Sequence, residues 1–356
     1  ATELNATMTL ISRSTFDVTD LETDLVASAT SGDITITTGE ITGVDGTTPK
    51  LTVTAGTGNF TINGDDSIEG NTDILDITVN ADLLSDTDTD VDLVLTGDAE
   101  YFIVNDSATG EVTIDASALE MDGGLTLSGS GDFRLVNTTR DVLAPNLTGR
   151  LTVETDNVTE NDIEVTAGSG SLLVDAIDGD DTITVNALNL VDDENDSEQN
   201  LGQNSSTDAW ELEAKGEGSV VVNHLDADLD ARLLEGDLTV DVTGGNDVDI
   251  RLNNGGVGAA QTSTINTGTT NVTLDAEFVK SGNTVDLNGS GDTYLFNAED
   301  GLTVDGGTGY TGELTVKTAV RGGLDVVDVI SSSAATTIIG QNGTVEIDAT
   351  ALADDI

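Results

Sequence analysis

The chain has no cysteine, two prolines and one histidine in 356 residues. Without cysteine there is no disulfide and no thiol chemistry. With His224 alone, a zinc site of the usual His/Cys kind cannot be assembled, and no Ser–His–Asp arrangement presents itself; His224 reads as a surface bystander. Aromatics are 3% of the chain, too few for an obvious sugar-stacking groove, and the arginines Arg134, Arg140, Arg150, Arg232, Arg251 and Arg321 look scattered. Only 11 Lys and Arg stand against 67 Asp and Glu, a formal net charge of −56. Such a field repels nucleic acid and anionic membrane surfaces, so neither is an expected partner. No apolar run reaches the ~20 residues of a membrane-spanning helix, and no membrane insertion is expected. Gly-, Thr- and Asp-rich composition disfavours long helices. No signal peptide is recognisable and residue 1 is Ala, so the chain is expected to be a mature form or a piece of a longer protein.

What is present is repetition. Ile114–Asn137, IDASALEMDGGLTLSGSGDFRLVN, carries two kinds of part that recur. The second half has relatives at Leu51–Asn63 (LTVTAGTGNFTIN), Leu93–Asn105 (LVLTGDAEYFIVN), Ile163–Asp175 (IEVTAGSGSLLVD), Leu212–Asn223, Leu238–Asn253 and Val285–Asn297. Each is an apolar run, a glycine-rich break, a second apolar run and a closing Asn or Asp. Glycine permits the corner, and Asn or Asp suits a turn because its side chain bonds nearby backbone. Aligned on the closing residue, the position before it is always apolar, and the position three before is apolar except at Arg134. That is the period of two of a strand with a buried face. Apolar residues in between, such as Ile103 and Leu173, also suit a strand buried on both sides. The first half, IDASAL, recurs as VNADLL at Val79, VNALNL at Val185, LDAEFV at Leu274 and IDATAL at Ile347.

The closing positions lie 42, 32, 38, 48, 30 and 44 residues apart. Self-similarity on this scale points to units that bury their apolar faces only against their neighbours. Two rungs per unit gives a rung of about 16–24 residues, suited to a parallel β-helix. The predicted fold is therefore all-β, a parallel β-helix or β-solenoid, right-handed by the usual preference of parallel crossovers. Residues 1–50 fit the repeat least and are expected to form an irregular N-terminal cap or linking segment, with a short helix around Asp17–Val26. Residues 51–356 form the repeat domain, with loop insertions near 191–208 and 254–270.

Acidic side chains at glycine corners are candidate hard-oxygen ligands for Ca2+. NGDDSIEG at Asn63–Gly70 and DGDDTITV at Asp178–Val185 share Gly-Asp-Asp-Ser/Thr-Ile. The candidates are Asp65, Asp66, Asp178, Asp180 and Asp181, with Asp192 and Asp193 in the acidic loop and Asp247 after Gly244-Gly245-Asn246. SDTDTDVD at Ser85–Asp92 reads as a solvated run. The alternative for each is a solvated acidic turn. The parts IDASAL…GGLTLSGSGD, GDDTITVNAL and TGELTVKTA…GGLDVVDVI resemble bacterial surface-layer proteins and adhesins of the RTX-related, type I-secreted group. That resemblance implies an extracellular, often calcium-bound β-solenoid; the group's tandem G-G-x-G-x-D-x-U-x nonapeptide is matched here only in part.

Two function classes remain. The first is a non-enzymatic structural protein of the cell surface, a surface-layer, filament or adhesin module that assembles with itself and whose acidic faces Ca2+ bridges or neutralises, with cell-surface polysaccharide as a further partner. The second is a carbohydrate-active or carbohydrate-binding β-helix such as a lyase, epimerase or tailspike. Asn-x-Ser/Thr sequons, for example Asn137-Thr138-Thr139, matter only in a source that glycosylates.

Overall fold

The computed structural model describes residues 7–39, 50–64, 75–84, 90–108, 110–120, 124–156, 162–190, 210–244, 247–252, 260–319, 327–330 and 335–341. Regular structure among the described residues is β-strand throughout, without a helix. The chain divides into two compact units, Ala1–Gly170 and Ser171–Ile356.

The first unit opens with β1 (Thr7–Thr9), β2 (Phe16–Leu21), β3 (Asp24–Val26), β4 (Ile34–Thr38) and β5 (Lys50–Thr54). It continues through β6 (Phe60–Gly64), β7 (Asp76–Asn80), β8 (Leu93–Gly97), β9 (Glu100–Asn105) and β10 (Glu111–Leu119). It ends with β11 (Gly124–Gly129), β12 (Asp132–Thr138), β13 (Val142–Leu147), β14 (Leu151–Thr155) and β15 (Asp162–Thr166). Odd-numbered strands pair in the order β1-β3-β5-β7-β9-β11-β13-β15, and even-numbered strands in the order β2-β4-β6-β8-β10-β12-β14, all parallel. Strands adjacent in sequence never pair with each other. Each circuit of the chain lays one strand on each sheet, and the next circuit stacks on it: a parallel β-solenoid.

The second unit repeats the plan. It holds β16 (Leu172–Ala176), β17 (Thr182–Asn186), β18 (Leu212–Gly216), β19 (Ser219–Leu225) and β20 (Leu229–Leu234). Next come β21 (Leu238–Val242), β22 (Val248–Arg251), β23 (Thr262–Asn266), β24 (Val272–Asp275) and β25 (Thr284–Asn288). β26 (Thr293–Ala298), β27 (Thr303–Asp305), β28 (Leu314–Thr318), β29 (Asp328–Ile330) and β30 (Thr336–Ile339) finish it. Here too odd strands stack on odd and even on even, in parallel.

Alternation of apolar and polar residues sets which face turns inward. In the first unit Leu51, Ile77, Tyr101, Leu125, Val142 and Val165 form one continuous in-register row, all buried. In the second, Leu172, Leu212, Leu229, Ile250, Leu274, Leu295 and Val316 do the same. Each fully buried Leu or Ile contributes about 1.5–3 kcal/mol of transfer free energy. Tyr101 of β9 reaches across the core to the other sheet. Its hydroxyl accepts from the Gly64 N–H at 2.8 Å and donates to the Thr96 carbonyl at 2.7 Å.

The closing Asn or Asp does not mark one structural position. Asn63 closes β6 on the even sheet, whereas Asn105 and Asn223 lie in β9 and β19 on the odd one. The uneven intervals arise because a half-circuit motif recurs on either sheet. The true period is one circuit: 21 residues from Ile114 to Leu135, 17 from Leu125 to Val142, and 40 from Leu172 to Leu212. Nor do the aligned copies share one phase. In β6 the inward residues are Phe60 and Ile62; in β12 they are Phe133 and Leu135, which turns Arg134 outward. Four strands absorb the difference with a bulge whose extra residue has a left-handed backbone: Asp20, Asn137, His224 and Asn297, with φ of 53°, 53°, 61° and 56°. Asn and Asp tolerate that region better than most residues.

Corners follow three devices. In the first, Asn or Asp before a buried Ala accepts from the N–H two residues on: Asn80 from Asp82, Asp115 from Ser117, Asn186 from Leu188 and Asp275 from Glu277. This is what the IDASAL-type motif encodes. In the second, glycines stack on glycines. A Cβ on Gly149 would sit 2.2 Å from the Gly131 carbonyl oxygen, on Gly170 2.0 Å from Gly149, and on Gly236 1.9 Å from Gly218. These glycines serve close approach between circuits, while Gly129, at φ 112°, serves a positive backbone angle. In the third, an Asp at a strand entry caps the next circuit. Asp92, Asp132, Asp141, Asp228, Asp237 and Asp292 accept from the backbone N–H of Thr113, Arg150, Glu164, Asp249, Thr262 and Glu313, at 2.7–2.9 Å.

One expectation needs correction, and two expected segments hold strands among their described residues. The helix placed at Asp17–Val26 is instead β2 and β3, because Phe16, Val18 and Leu21 line up with Ile34, Ile36 and Thr38 of β4. Segment 1–50, expected as an irregular N-terminal cap or linking segment with a rung-like run at Ser31–Ile41, holds β1–β4 among its described residues, β4 within that run. The insertion placed at 254–270 contains β23, held by pairing Ser263 with Leu238 and Ile265 with Val240; residues 254–259 lie outside the described residues, as does the loop 191–208.

Candidate functional site

Of the residues singled out as calcium ligands, Asp65, Asp66, Asp192 and Asp193 lie outside the described residues. Asp178, Asp180 and Asp181 share one hydrogen-bonded turn between β16 and β17. The Asp178 carboxylate accepts from the Asp180 N–H at 3.3 Å, and buried Asp181 accepts from the Asp178 N–H at 3.2 Å. Asp247 lies elsewhere, exposed at the entry of β22, and accepts from the Asn271 amide at 3.2 Å. Among the described residues no three of His, Cys, Asp and Glu come together as a metal-holding group. His224 is exposed at a bulge of β19. Asp92, from the acidic run Ser85–Asp92, is buried as a backbone cap.

The densest chemistry lies elsewhere, on the outward face of the even strands of the second unit. The in-register row there runs Glu213, Asp230, Arg251, Asp275 and Phe296, one residue per circuit on β18, β20, β22, β24 and β26. Steps between circuits are about 4.8 Å. Asp230 is the hub. Arg232 binds it with Nη2 at 2.7 Å and Nε at 2.9 Å, and Arg251 Nη1 stands 3.7 Å away. The Asp230 side chain is only 9% exposed. Its hydrogen bond holds the Arg232 guanidinium above its ordinary pKa, against the opposing effect of burial. On the adjoining row Lys215 pairs with Asp175 at 2.9 Å, directly in register.

Aromatic rings frame these charges. The Arg251 guanidinium lies 4.4 Å from the Trp210 ring centre, and Arg232 5.6 Å from that of Phe278. Tyr294 and Phe296 stack at 6.0 Å with an interplanar angle of 21°. Phe278 and Tyr294 are 39% and 38% exposed. The Asp275 carboxylate, next in the row, accepts from the Asn297 amide at 2.9 Å. The arginines that look scattered along the chain are thus partly gathered: residues 19 apart meet on one carboxylate because consecutive circuits are in register. Trp210 and Phe278 sit in corners, and no sequence period places a corner side chain, so sequence reasoning missed this face.

Like charges also stack. Asp286 of β25 pairs in register with Asp305 of β27, and its carboxyl is held above the ordinary carboxylate value by burial and then by Asp305. In the first unit Glu111 pairs in register with Asp132. Burial raises the Glu111 carboxyl most; Arg134 and Arg150 oppose the rise, while Asp132 and Glu154 add to it.

Comparison with protein-family models, with curated proteins and with solved structures found no match.

Proposed function

We propose that this chain is extracellular building material: a structural module of a surface layer, filament or adhesin that assembles with itself, with its acidic faces neutralised or bridged by Ca2+. The observation that carries the reading is the in-register stacking of carboxylates, as at Asp286 and Asp305. Every circuit that adds an outward acid over another adds repulsion of about 0.2–1 kcal/mol per directly opposed pair. A chain of net charge −56 carries many such charges, and a divalent cation relieves them where a neutral partner would not. Other acids, such as Asp132 and Asp237, serve the backbone of the next circuit. That use suits a protein whose task is to hold a stack together.

The test is thermal unfolding and sedimentation of the purified chain in millimolar CaCl2, in EDTA, and in NaCl of matched ionic strength. The expected result is a higher midpoint and larger assemblies in calcium, reversed by EDTA and not reproduced by NaCl. Equal midpoints and an unchanged sedimentation profile in all three would remove the calcium-linked assembly.

A further inference from the structure

We infer that the outward face around Asp230 in the second unit, with Arg232, Arg251, Trp210, Phe278 and Tyr294, binds a neutral polysaccharide laid along the stacked circuits. This goes beyond the building-material reading and does not depend on it.

The first argument is where the aromatics go. The chain has one Trp, three Tyr and six Phe. Phe60, Phe133, Tyr101 and Tyr310 fill the cores. Four others, Trp210, Phe278, Tyr294 and Phe296, collect on this face or its margin, while Phe16 and Phe102 sit half-buried in the first unit. The fold does not need rings outside: outward positions of the same sheet are met by Thr at Thr273 and Thr315, on either side of Tyr294. An exposed ring presents a flat apolar surface to the C–H face of a pyranose, as it does to other flat partners.

Polar chemistry supplies the second argument. Asp230 and its two arginines form a fixed array of planar donors and acceptors. Arg232 uses Nε and Nη2 on Asp230, which leaves guanidinium N–H donors pointing elsewhere. Asp230 itself is fully engaged, accepting also from the Arg232 backbone N–H at 3.0 Å, and serves to fix both guanidinium groups in place. Guanidinium donors held in place by ion pairs, rather than carried on free flexible side chains, match sugar hydroxyl oxygens, which accept.

Charge selects among polymers. Lys215, Arg232 and Arg251 stand here among Asp175, Glu213, Asp230 and Asp275, with Asp249 on the Tyr294 row and Glu277 beside Phe278, so the face gathers three of the chain's 11 basic residues yet stays net acidic. The surrounding field repels a polyuronate or sulfated glycan. A polycation would be drawn to the more acidic remainder of the surface in preference to this patch, where three cations already stand. A neutral chain is the occupant that the face favours. Circuits repeat about every 4.8 Å, close to the length of a sugar ring, so successive sugars meet successive circuits.

Trp210 is the only tryptophan, which makes the face its own reporter. The full chain is titrated with soluble mixed-linkage β-glucan, galactomannan, xyloglucan and dextran, and with polygalacturonate and heparin as polyanions, following Trp210 emission. Retardation in affinity gels containing each polymer gives a second readout. At least one neutral polymer should shift the emission and retard the chain, and neither polyanion should. Phe278→Ala with Tyr294→Ala, both exposed and outside the core, should weaken binding at least about tenfold with an unchanged circular dichroism spectrum. His224→Ala on the odd sheet should leave it unchanged. No response to any of the four neutral polymers, stronger binding to polygalacturonate, or full binding by the double variant would each overturn the inference. Loss of calcium-linked assembly with glycan binding intact would leave it standing.

Discussion

Tyr101→Phe isolates one hydroxyl that joins the two sheets of the first unit. The ring stays, so no cavity opens. What is lost is an acceptor for the Gly64 N–H, at 2.8 Å, and a donor to the Thr96 carbonyl, at 2.7 Å, with the Ile62 carbonyl a further neighbour at 3.2 Å. Tyr101 is fully buried, and burial above all pushes its phenol well above the ordinary value, so the group stays protonated. No water reaches the Gly64 N–H to replace the hydroxyl. A buried donor left unpaired costs about 1–3 kcal/mol, and the lost donation adds roughly 1 kcal/mol. The expected loss is therefore about 2–4 kcal/mol by urea unfolding followed by far-UV circular dichroism. Amide exchange at Gly64 should accelerate more than at Ile36 on the neighbouring circuit. Tyr101→Leu, which also empties part of the ring volume, should be worse by roughly 1–2 kcal/mol. A loss below about 0.5 kcal/mol, within the scatter of ordinary surface substitutions, with unchanged exchange at Gly64, would refute the reasoning.

Gly149→Ala should destabilise by about 1–3 kcal/mol, because its Cβ meets the Gly131 carbonyl oxygen at 2.2 Å; Gly124→Ala, whose nearest neighbour is the Glu100 side chain at 3.7 Å, should be nearly neutral in the same melts. Asp132→Ala removes the acceptor for the Arg150 N–H and should cost about 1–2 kcal/mol, whereas Asp132→Asn keeps an acceptor and should cost clearly less. The raised Asp286 carboxyl means that the folded chain holds this proton to higher pH than the unfolded chain does. Stability from the group is therefore present below the unfolded pKa and lost as pH rises through the folded one. Asp286→Asn should consequently gain a few tenths of a kcal/mol at neutral pH and nothing in acid, read as midpoints across a pH series. His224→Gly should raise stability by roughly 0.5–1 kcal/mol by relieving a left-handed backbone, and His224→Val should lower it.

Period-two alternation in runs such as LTVTAGTGNFTIN was enough to read parallel stacking, because inward residues on every strand must meet an apolar neighbour on the circuits above and below. Corner chemistry was half legible. Asn80, Asn186 and Asp275 stood out as a motif, and their Asx turns explain why. Asp132 and Asp237, each between a glycine and an apolar run, carry an equally clear signal, but an acid beside glycine reads as a cation ligand as readily as a backbone cap. The bulges at Asn137, His224 and Asn297 were not legible. They shift phase by one residue, and an alignment on the closing residue hides that shift. The face around Asp230 depends on register between circuits of unequal length. Asp230 meets Arg251 across a circuit of 21 residues, while Asp175 meets Lys215 across one of 40. Nothing in the local sequence sets those lengths.

Register between circuits underlies the whole fold, and the absence of cysteine makes it directly measurable. Thr239 of β21 and Thr264 of β23 are register partners on the outward face, and paired parallel strands lie about 4.8 Å apart, inside the Cα range a disulfide accepts. Oxidation of the Thr239→Cys, Thr264→Cys variant should give an internal disulfide in high yield. The Thr239→Cys, Asn266→Cys variant, offset by two residues to a separation of about 8 Å, should give little. Equal yields from both pairs, or closure of the offset pair alone, would contradict the stacked, in-register account.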